Sequence, residues 1–395
     1  MSYDPETIAV RAGLETDPVH GSVMAPLYQS TNYTFDGYKG KRRYDYSRSG
    51  NPTRDLLGQA IADLEGGFGS VLTTSGMAAL DLLTYYAQPK DLVFAPHDCY
   101  GGTHRMLQHK AARGHYRVRF VDQTNLKTLE QAFKEEAPRL ILIETPSNPL
   151  LRLTDIRAVC TLARQYGTFS AVDNTFLSPV FQRPFELGAD VVVHSTTKYL
   201  NGHSDVVGGV LVSKKEEDHL FFTWWANCIG NTGAPYDSYL TLRGLRTLGI
   251  RVRHQEESAR EVAAFLNNHP AVRQVYYPGL ADHPQYDLAC RQQSGFGSMI
   301  SFELAGGEDE VKTFLEQTEL FSLAESLGGF ESLVAHPATM THVGMDPVAR
   351  VEAGISDQLL RLSIGLESVQ DLITDLDKAL AVSPAATGQL SPSLI

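Results

Sequence analysis

A lysine set among hydroxyls, in His194-Ser195-Thr196-Thr197-Lys198-Tyr199, is where covalent chemistry could start in this chain. The run before it, residues 190–193, ends in three consecutive valines without polar alternation, as in a strand buried on both faces of a parallel sheet. Lys198 therefore falls just past a strand's carboxyl end, the edge at which open α/β sheets bind ligands. Partial desolvation there favours the neutral amine, which is nucleophilic and can form a Schiff base with an aldehyde. Ser195 and Thr197 are placed to hydrogen-bond a phosphate. A lone lysine after a strand is ordinarily a surface residue, so the weight rests on its company.

That company begins one strand upstream, where the apolar run 169–172 ends at Asp173-Asn174-Thr175. An aspartate at that edge serves either as a turn or cap residue or as the carboxylate that keeps a pyridinium nitrogen protonated. The second role suits pyridoxal phosphate, whose two ends need a lysine and an acid on neighbouring strand edges. A third piece is the strand-like 70–73, the turn Thr74-Ser75-Gly76 and a helical pattern over 77–86. Unpaired N–H groups at that helix start, near Gly76 and Met77, form an anion site. Arg361 lies in the apolar run Leu359-Leu360-Arg361-Leu362-Ser363. A buried arginine requires an anion, either a structural carboxylate or a bound ligand.

These pieces resemble the Cys/Met-metabolism family of pyridoxal-phosphate enzymes. So do Ser75-Gly76-Met77, Tyr100-Gly101-Gly102, Pro146-Ser147-Asn148-Pro149, Asp45-Tyr46-Ser47-Arg48 and Gly50-Asn51-Pro52-Thr53, and the likeness runs from about Thr7 to about Leu380. The resemblance implies a fold-type I transferase using pyridoxal 5'-phosphate, with Lys198 as cofactor anchor and base and Asp173 at the ring nitrogen. It implies that Tyr100 stacks on the ring and joins the proton traffic, and that Asn148 bonds the phenolic oxygen. Gly76, Met77, Ser195 and Thr197 would hold the phosphate, completed by Tyr46 and Arg48 from a neighbouring subunit. Arg361 would take the substrate α-carboxylate, with Ser326 and Asn148 also in the substrate site. Glu325, sharing the task with Arg105 and Asp45, would meet the far end of the substrate. Segments 95–102, 201–209 and 324–329 are most similar to the γ-replacement branch, which joins an O-acyl-L-homoserine, expected here to be O-succinyl, to L-cysteine as cystathionine. That reaction belongs to the transsulfuration route to methionine. Alternatives are a cystathionine or methionine γ-lyase, a β-lyase and, from another class, a non-catalytic binding protein of the same fold.

The elements that must position these residues read as alternating strands and helices. Strands are expected at 92–95, 117–121, 140–144, 169–172, 190–193 and 207–212, with helices such as 126–135 and 156–166 between them, giving a mostly parallel sheet with helices on both faces. Residues 1–60 read as an irregular arm contacting a neighbouring subunit, 61–255 as a large cofactor-binding domain, 256–382 as a smaller α+β domain and 383–395 as a disordered tail. In the smaller domain, strands are expected at 272–276, 298–303, 321–323 and 359–363, and helices at 308–316 and 369–380. Thr53 is expected to cap a helix to residue 64. Asp237 is expected to cap one long helix to about 267, with Arg243, Arg246 and Arg251 on a solvated or ion-paired face.

Composition closes several other routes. At 395 residues the chain can bury two cores, and its formal net charge of −12 disfavours nucleic acid or an anionic membrane as partner. The four cysteines are scattered without a C-x-x-C, so no disulfide framework or zinc site is expected. His97-Asp98-Cys99 alternate in direction if extended and mix hard with soft ligands, so no metal is expected there either. His336 and His342 read as polar residues of a loop at a domain seam. The first residues lack a basic region followed by an apolar core, and the stretch around Trp224-Trp225 is too short to span a bilayer. A cytoplasmic, soluble enzyme is expected, and by resemblance a homotetramer built of dimers.

Overall fold

The computed structural model describes residues 3–345, 350 and 353–381; the tail expected at 383–395 lies outside them. The chain runs α1 (Pro5–Arg11), α2 (Pro52–Glu65), β1 (Gly69–Thr73), α3 (Gly76–Thr84), β2 (Leu92–Pro96), α4 (Gly101–Ala112), β3 (Arg117–Val121), α5 (Leu126–Glu135), β4 (Leu140–Glu144), α6 (Ile156–Gln165), β5 (Phe169–Asp173), α7 (Ser178–Phe181), α8 (Pro184–Leu187), β6 (Val191–Ser195) and β7 (Gly209–Ser213). After α9 (Glu216–Ile229), α10 (Pro235–Leu245) and α11 (Leu248–Asn267) come β8 (Val272–Tyr276), α12 (Tyr286–Gln292), β9 (Met299–Leu304), α13 (Glu308–Gln317), β10 (Ser322–Leu323), β11 (Leu333–Ala335), β12 (Leu359–Ser363) and α14 (Val369–Ala381).

Seven strands form the first sheet in the order β1-β7-β6-β5-β4-β2-β3. From β6 to β3 every pair is parallel, while β7 runs antiparallel to both β6 and β1. The continuous apolar runs of β2, β4 and β7 are buried along their whole length, as strands covered on both faces must be. Alternate residues of β4 serve opposite cores: Ile141 and Ile143 pack with α2, α5 and α6, whereas Leu140 and Leu142 pack with α3, α4 and α9. The edge strand β3 instead alternates, showing Arg117 and Arg119 outward to Glu136 and Glu135 of α5 and the turn after it. Charges of this kind blunt an exposed sheet edge.

A second sheet, β10-β11-β12-β9-β8, is antiparallel apart from β10 and β11. Its core joins Ile300, Phe302, Leu360 and Leu362 to Phe314 of α13 and Leu376 of α14. One helix serves both bodies. Leu248 and Val252 of α11 belong to the first core, Ala259, Val262 and Leu266 to the second. The large sheet with helices on both faces, beside a smaller mixed sheet, is the architecture expected from the sequence.

Several local expectations give way. The arm is not wholly irregular, because Ala9 and Ala12, in and just after α1, are buried in the first core. Asn51, not Thr53, caps α2: its side chain accepts from the N–H groups of Thr53 (3.0 Å) and Arg54 (3.1 Å). The long helix expected from Asp237 is two helices, and Asp237 sits in the first turn of α10 rather than at its cap. The break falls at Arg246-Thr247, just after Gly244, which presses on Asn201: the Asn201 carbonyl oxygen would lie 2.1 Å from any Cβ at that position. Arg251 is not solvated but 5 % exposed, donating to the Gly244 carbonyl (2.9 Å) and the Thr247 hydroxyl (3.1 Å). It occupies the space a side chain at Gly202 would need, and the φ of +70° at Gly202 suits glycine as well.

Candidate active site

Glu144, Asp173 and Ser195 end three adjacent parallel strands, and each continues the row of side chains that faces α3. That parity is set by the pleat: a shift of one residue would turn all three toward α2. Asp173 opens to a cavity; its Oδ1 accepts from the N–H (3.0 Å) and hydroxyl (2.5 Å) of Thr175. The Thr175 hydroxyl in turn accepts the Ser195 N–H (3.0 Å), so the two strand ends are tied through one threonine. Burial raises the Asp173 pKa, opposed by the Thr175 bonds and by His194. Glu144 is held well above the usual carboxylate range by burial and by the neighbouring Asp173.

α3 begins against this edge. Its cap is Ser75, whose hydroxyl accepts the Ala78 N–H (3.1 Å). The N–H groups of Gly76 and Met77 precede the first intrahelical bond and border the cavity. A Cβ at Gly76 would lie 2.7 Å from the Cβ of Ser195, so the close seating of helix on strand demands glycine.

Past β6 the chain turns tightly, with the Lys198 N–H donating to the Ser195 carbonyl (3.2 Å) and the Gly202 N–H to the Lys198 carbonyl (2.8 Å). The Thr197 hydroxyl is engaged with Gly208, accepting its N–H at 3.0 Å. Lys198 projects into the cavity and its Nζ donates to the Ser326 hydroxyl (2.7 Å). Burial, with help from Arg361 and against Glu325, lowers its pKa to about 8. Ser326 holds a left-handed φ of +87° and its carbonyl accepts from Arg361 Nη2 (2.8 Å). Arg361, 3 % exposed on β12, reaches Asn148 Oδ1 through Nη1 (2.8 Å). Its Nε has no partner, and among the described residues no carboxylate pairs with it. Desolvation lowers its pKa to about 10. A buried guanidinium so furnished is a donor without its anion.

The cavity, of about 250 Å³, thus collects Gly76, Met77, Tyr100, Asn148, Asp173, Ser195, Thr197, Lys198, Glu325, Ser326 and Arg361. Four expected residues lie elsewhere. Tyr46 and Arg48 line an adjoining cavity of about 350 Å³ that shares Val207 with the first. There the Arg48 guanidinium lies 5.2 Å from the Tyr46 ring and Nε donates to Asn227 Oδ1 (3.1 Å). Asp45 is paired with Lys41 (2.8 Å) in the arm, and Arg105 is exposed on α4 beside Gly344.

Three features escaped the sequence reading. Glu144 lines the cavity and was legible by the rule that found Asp173, an acid ending an apolar strand. A buried pair, His194 Nε2 to Glu65 Oε1 at 2.6 Å, lies on the opposite face of β6, and Asn174 Nδ2 also donates to that oxygen (3.0 Å). His342, read only as polar near a seam, is 1 % exposed beside Thr341, which lines the cavity, and burial lowers its pKa to about 4.

An amine inclined to neutrality, an acid on the next strand edge, a helix start with free N–H groups and an unpaired arginine fit pyridoxal phosphate carrying an amino-acid substrate. Among the described residues no helix is long and apolar enough to cross a membrane. Residues 6–381 match the model of the Cys/Met metabolism PLP-dependent enzymes. Cystathionine gamma-synthase of Escherichia coli (strain K12) is 52% identical over 378 residues, covering 95% of this chain and 98% of the relative. Cystathionine beta-lyase of Lactococcus lactis subsp. cremoris (strain MG1363) is 44% identical over 375 residues, with coverage of 95% and 98%. The crystal structure of cystathionine gamma synthase from Xanthomonas oryzae pv. oryzae in complex with aminoacrylate and cysteine superposes with a TM-score of 0.96 at 53% identity, covering 98% of this chain and 100% of that one. The chain belongs to the Cys/Met-metabolism family of pyridoxal-phosphate-dependent enzymes.

Proposed function

We propose that this enzyme joins an O-acyl-L-homoserine, with O-succinyl as the expected acyl group, to L-cysteine, releasing the acyl carboxylate and forming cystathionine. The observation that carries the reading is the line from Lys198 Nζ through Ser326 to Arg361, with Glu325 beside it in one cavity. Arg361 grips the substrate α-carboxylate with its free donor edge, and Asn148 keeps the guanidinium in plane. That grip fixes Cα near Lys198. Pyridoxal phosphate, when bound, supplies an electron sink conjugated to Cα. Asp173 would accept the ring N–H, and Gly76, Met77, Ser195 and Thr197 would hold the phosphate, completed by Tyr46 and Arg48 of a neighbouring subunit. Lys198 Nζ, steadied by the Ser326 hydroxyl, takes protons from Cα and Cβ and returns them. Tyr100 would cover the ring and exclude water from the reacting face. The acyl carboxylate leaves from Cγ and the cysteine sulfur takes its place, with Glu325 holding the cysteine ammonium. The active enzyme is a homotetramer built of two dimers, with sites shared across each dimer.

A product assay with O-succinyl-, O-acetyl- and O-phospho-homoserine, each with and without cysteine, tests the reading. Cystathionine should be the main product with cysteine present, fastest from the succinyl ester. Rapid cleavage of cystathionine together with inertness toward all three esters would favour a lyase, the activity named for the 44%-identical relative.

A further inference from the structure

Tyr100 and Asn148 reach the cavity from two different loops, one after β2 and one after β4. Neither loop has regular backbone pairing with the other, yet two carboxylates cross between them. Glu144, at the end of β4, accepts the Tyr100 N–H through Oε2 (3.0 Å) and the Asn148 N–H through Oε1 (3.2 Å). In the opposite direction Asp98, on the Tyr100 loop, accepts the Ser147 hydroxyl on the Asn148 loop through Oδ2 (2.8 Å). Arg152 Nη1 approaches the same oxygen at 3.4 Å. Both acids are buried, Asp98 at 5 % and Glu144 at 8 % exposure. Tyr100 is also the cap residue of α4 and offers that helix no side-chain acceptor. Glu144 accepts the N–H of that cap residue itself, close to the positive end of the helix dipole.

The geometry points to Glu144, with Asp98 and Ser147, as a reciprocal clasp that sets the spacing of Tyr100 and Asn148 across the cofactor. Glu144 is a positioning residue in this scheme, acting through the two loops it joins. Its two oxygens each accept an N–H donor, a task the glutamine amide, with one acceptor oxygen, cannot perform. Glutamine has one acceptor oxygen and an amide NH2, so it would face one of the two donors with another donor. The unpaired N–H would then pull its loop toward water and misplace the side chain it carries. Ser147→Ala cuts the other arm of the clasp with the loss of a single hydroxyl. The inference rests on the proposed roles of Tyr100 and Asn148 at the cofactor.

The test uses holoenzyme of Glu144→Gln, Ser147→Ala and the double variant, with Tyr100→Phe and Asn148→Ala as references. Visible circular dichroism of the bound cofactor reads its asymmetric seating independently of turnover. Glu144→Gln should weaken that signal and lower kcat per bound cofactor about ten- to a hundredfold, leaving KM for cysteine within about twofold. Ser147→Ala should act in the same direction by about threefold to tenfold. Because both contacts hold one pair of loops, the double variant should lose less than the product of the single losses. An unchanged dichroic signal and kcat per bound cofactor in Ser147→Ala, or single losses that multiply, would overturn the clasp even if Glu144→Gln proved too unstable to purify. If Tyr100→Phe and Asn148→Ala themselves leave dichroism and kcat intact, the site reading fails and the clasp with it. Effects of those two variants without any from Glu144→Gln or Ser147→Ala would overturn the clasp alone.

Discussion

The two walls of the cavity are built differently. On one side stand the ends of β4, β5 and β6 and the start of α3, held by ladder hydrogen bonds and by the Asp173–Thr175–Ser195 link. On the other stand Glu325, Ser326 and Arg361, brought by the smaller sheet. That wall touches the first through Lys198 to Ser326 and Arg361 to Asn148. The first wall is rigid because its residues are extensions of buried strands. The second depends on a few long side chains and on a serine at positive φ. The difference suggests a division of labour, with the sheet wall serving the chemical steps and the smaller-domain wall binding the substrate, Glu325 choosing among substrates.

The largest break of that division is Lys198→Ala. Turnover should vanish, and borohydride should no longer fix the cofactor to the protein; a trapped adduct at the level of the parent enzyme would place the anchor on another lysine. Mixed with Arg48→Ala after confirmed subunit exchange, the same variant should recover part of its activity, because one site of the hybrid would hold both intact residues. No recovery would mean that Arg48 serves its own chain. Next in size comes Arg361→Lys, which keeps the charge but not the planar fork. It should raise KM for the acyl-homoserine about a hundredfold with a smaller fall in kcat. A loss confined to kcat would move Arg361 from substrate binding to the common steps.

A subtler effect lies in pH. Burial disfavours the Lys198 ammonium and lowers its pKa from the ordinary 10.5 to about 8. The rate at which cofactor-free protein captures pyridoxal phosphate should therefore rise to a plateau with a midpoint near pH 8. The unfolded chain keeps that proton to higher pH, so the destabilisation from burying the lysine is full below pH 8 and fades as pH rises toward 10.5. Glu325 is the group that raises this pKa. Glu325→Gln should shift the capture midpoint downward; an upward shift would show that Glu325 does not face the amine.

How much of this was legible in the chain follows the same division. Strand ends on the sheet wall announce themselves: a valine run stops at His194-Ser195 and the short run 169–172 at Asp173, and pleat parity then fixes which face each residue joins. The β4 run ends as plainly at Glu144, yet an acid beside Pro146 and Asn148 read only as the end of a strand. The smaller-domain wall offered less. β11 spans Leu333–Ala335, too short to show a period, and Arg361 declared its burial but not its partners. α1 is a helix of seven residues whose fit comes from packing on the first core, not from its own pattern. The break before α11 and the burial of Arg251 lie where residues far apart in sequence meet, Gly244 against Asn201 and Arg251 over Gly202. Long-range contacts of that kind leave no periodic trace.

Glu325 carries the preference for synthesis: it holds the cysteine ammonium, a contact that elimination from the acyl-homoserine does not use. The direct measurement is kcat/KM for cysteine in cystathionine formation beside kcat for 2-oxobutanoate release without thiol, in the parent enzyme and in Glu325→Ala. A charge-assisted hydrogen bond is worth roughly 1.5–3 kcal/mol, so the first should fall about ten- to a hundredfold while the second stays within about twofold. Equal losses in both would contradict the division between the walls and return Glu325 to the common chemistry.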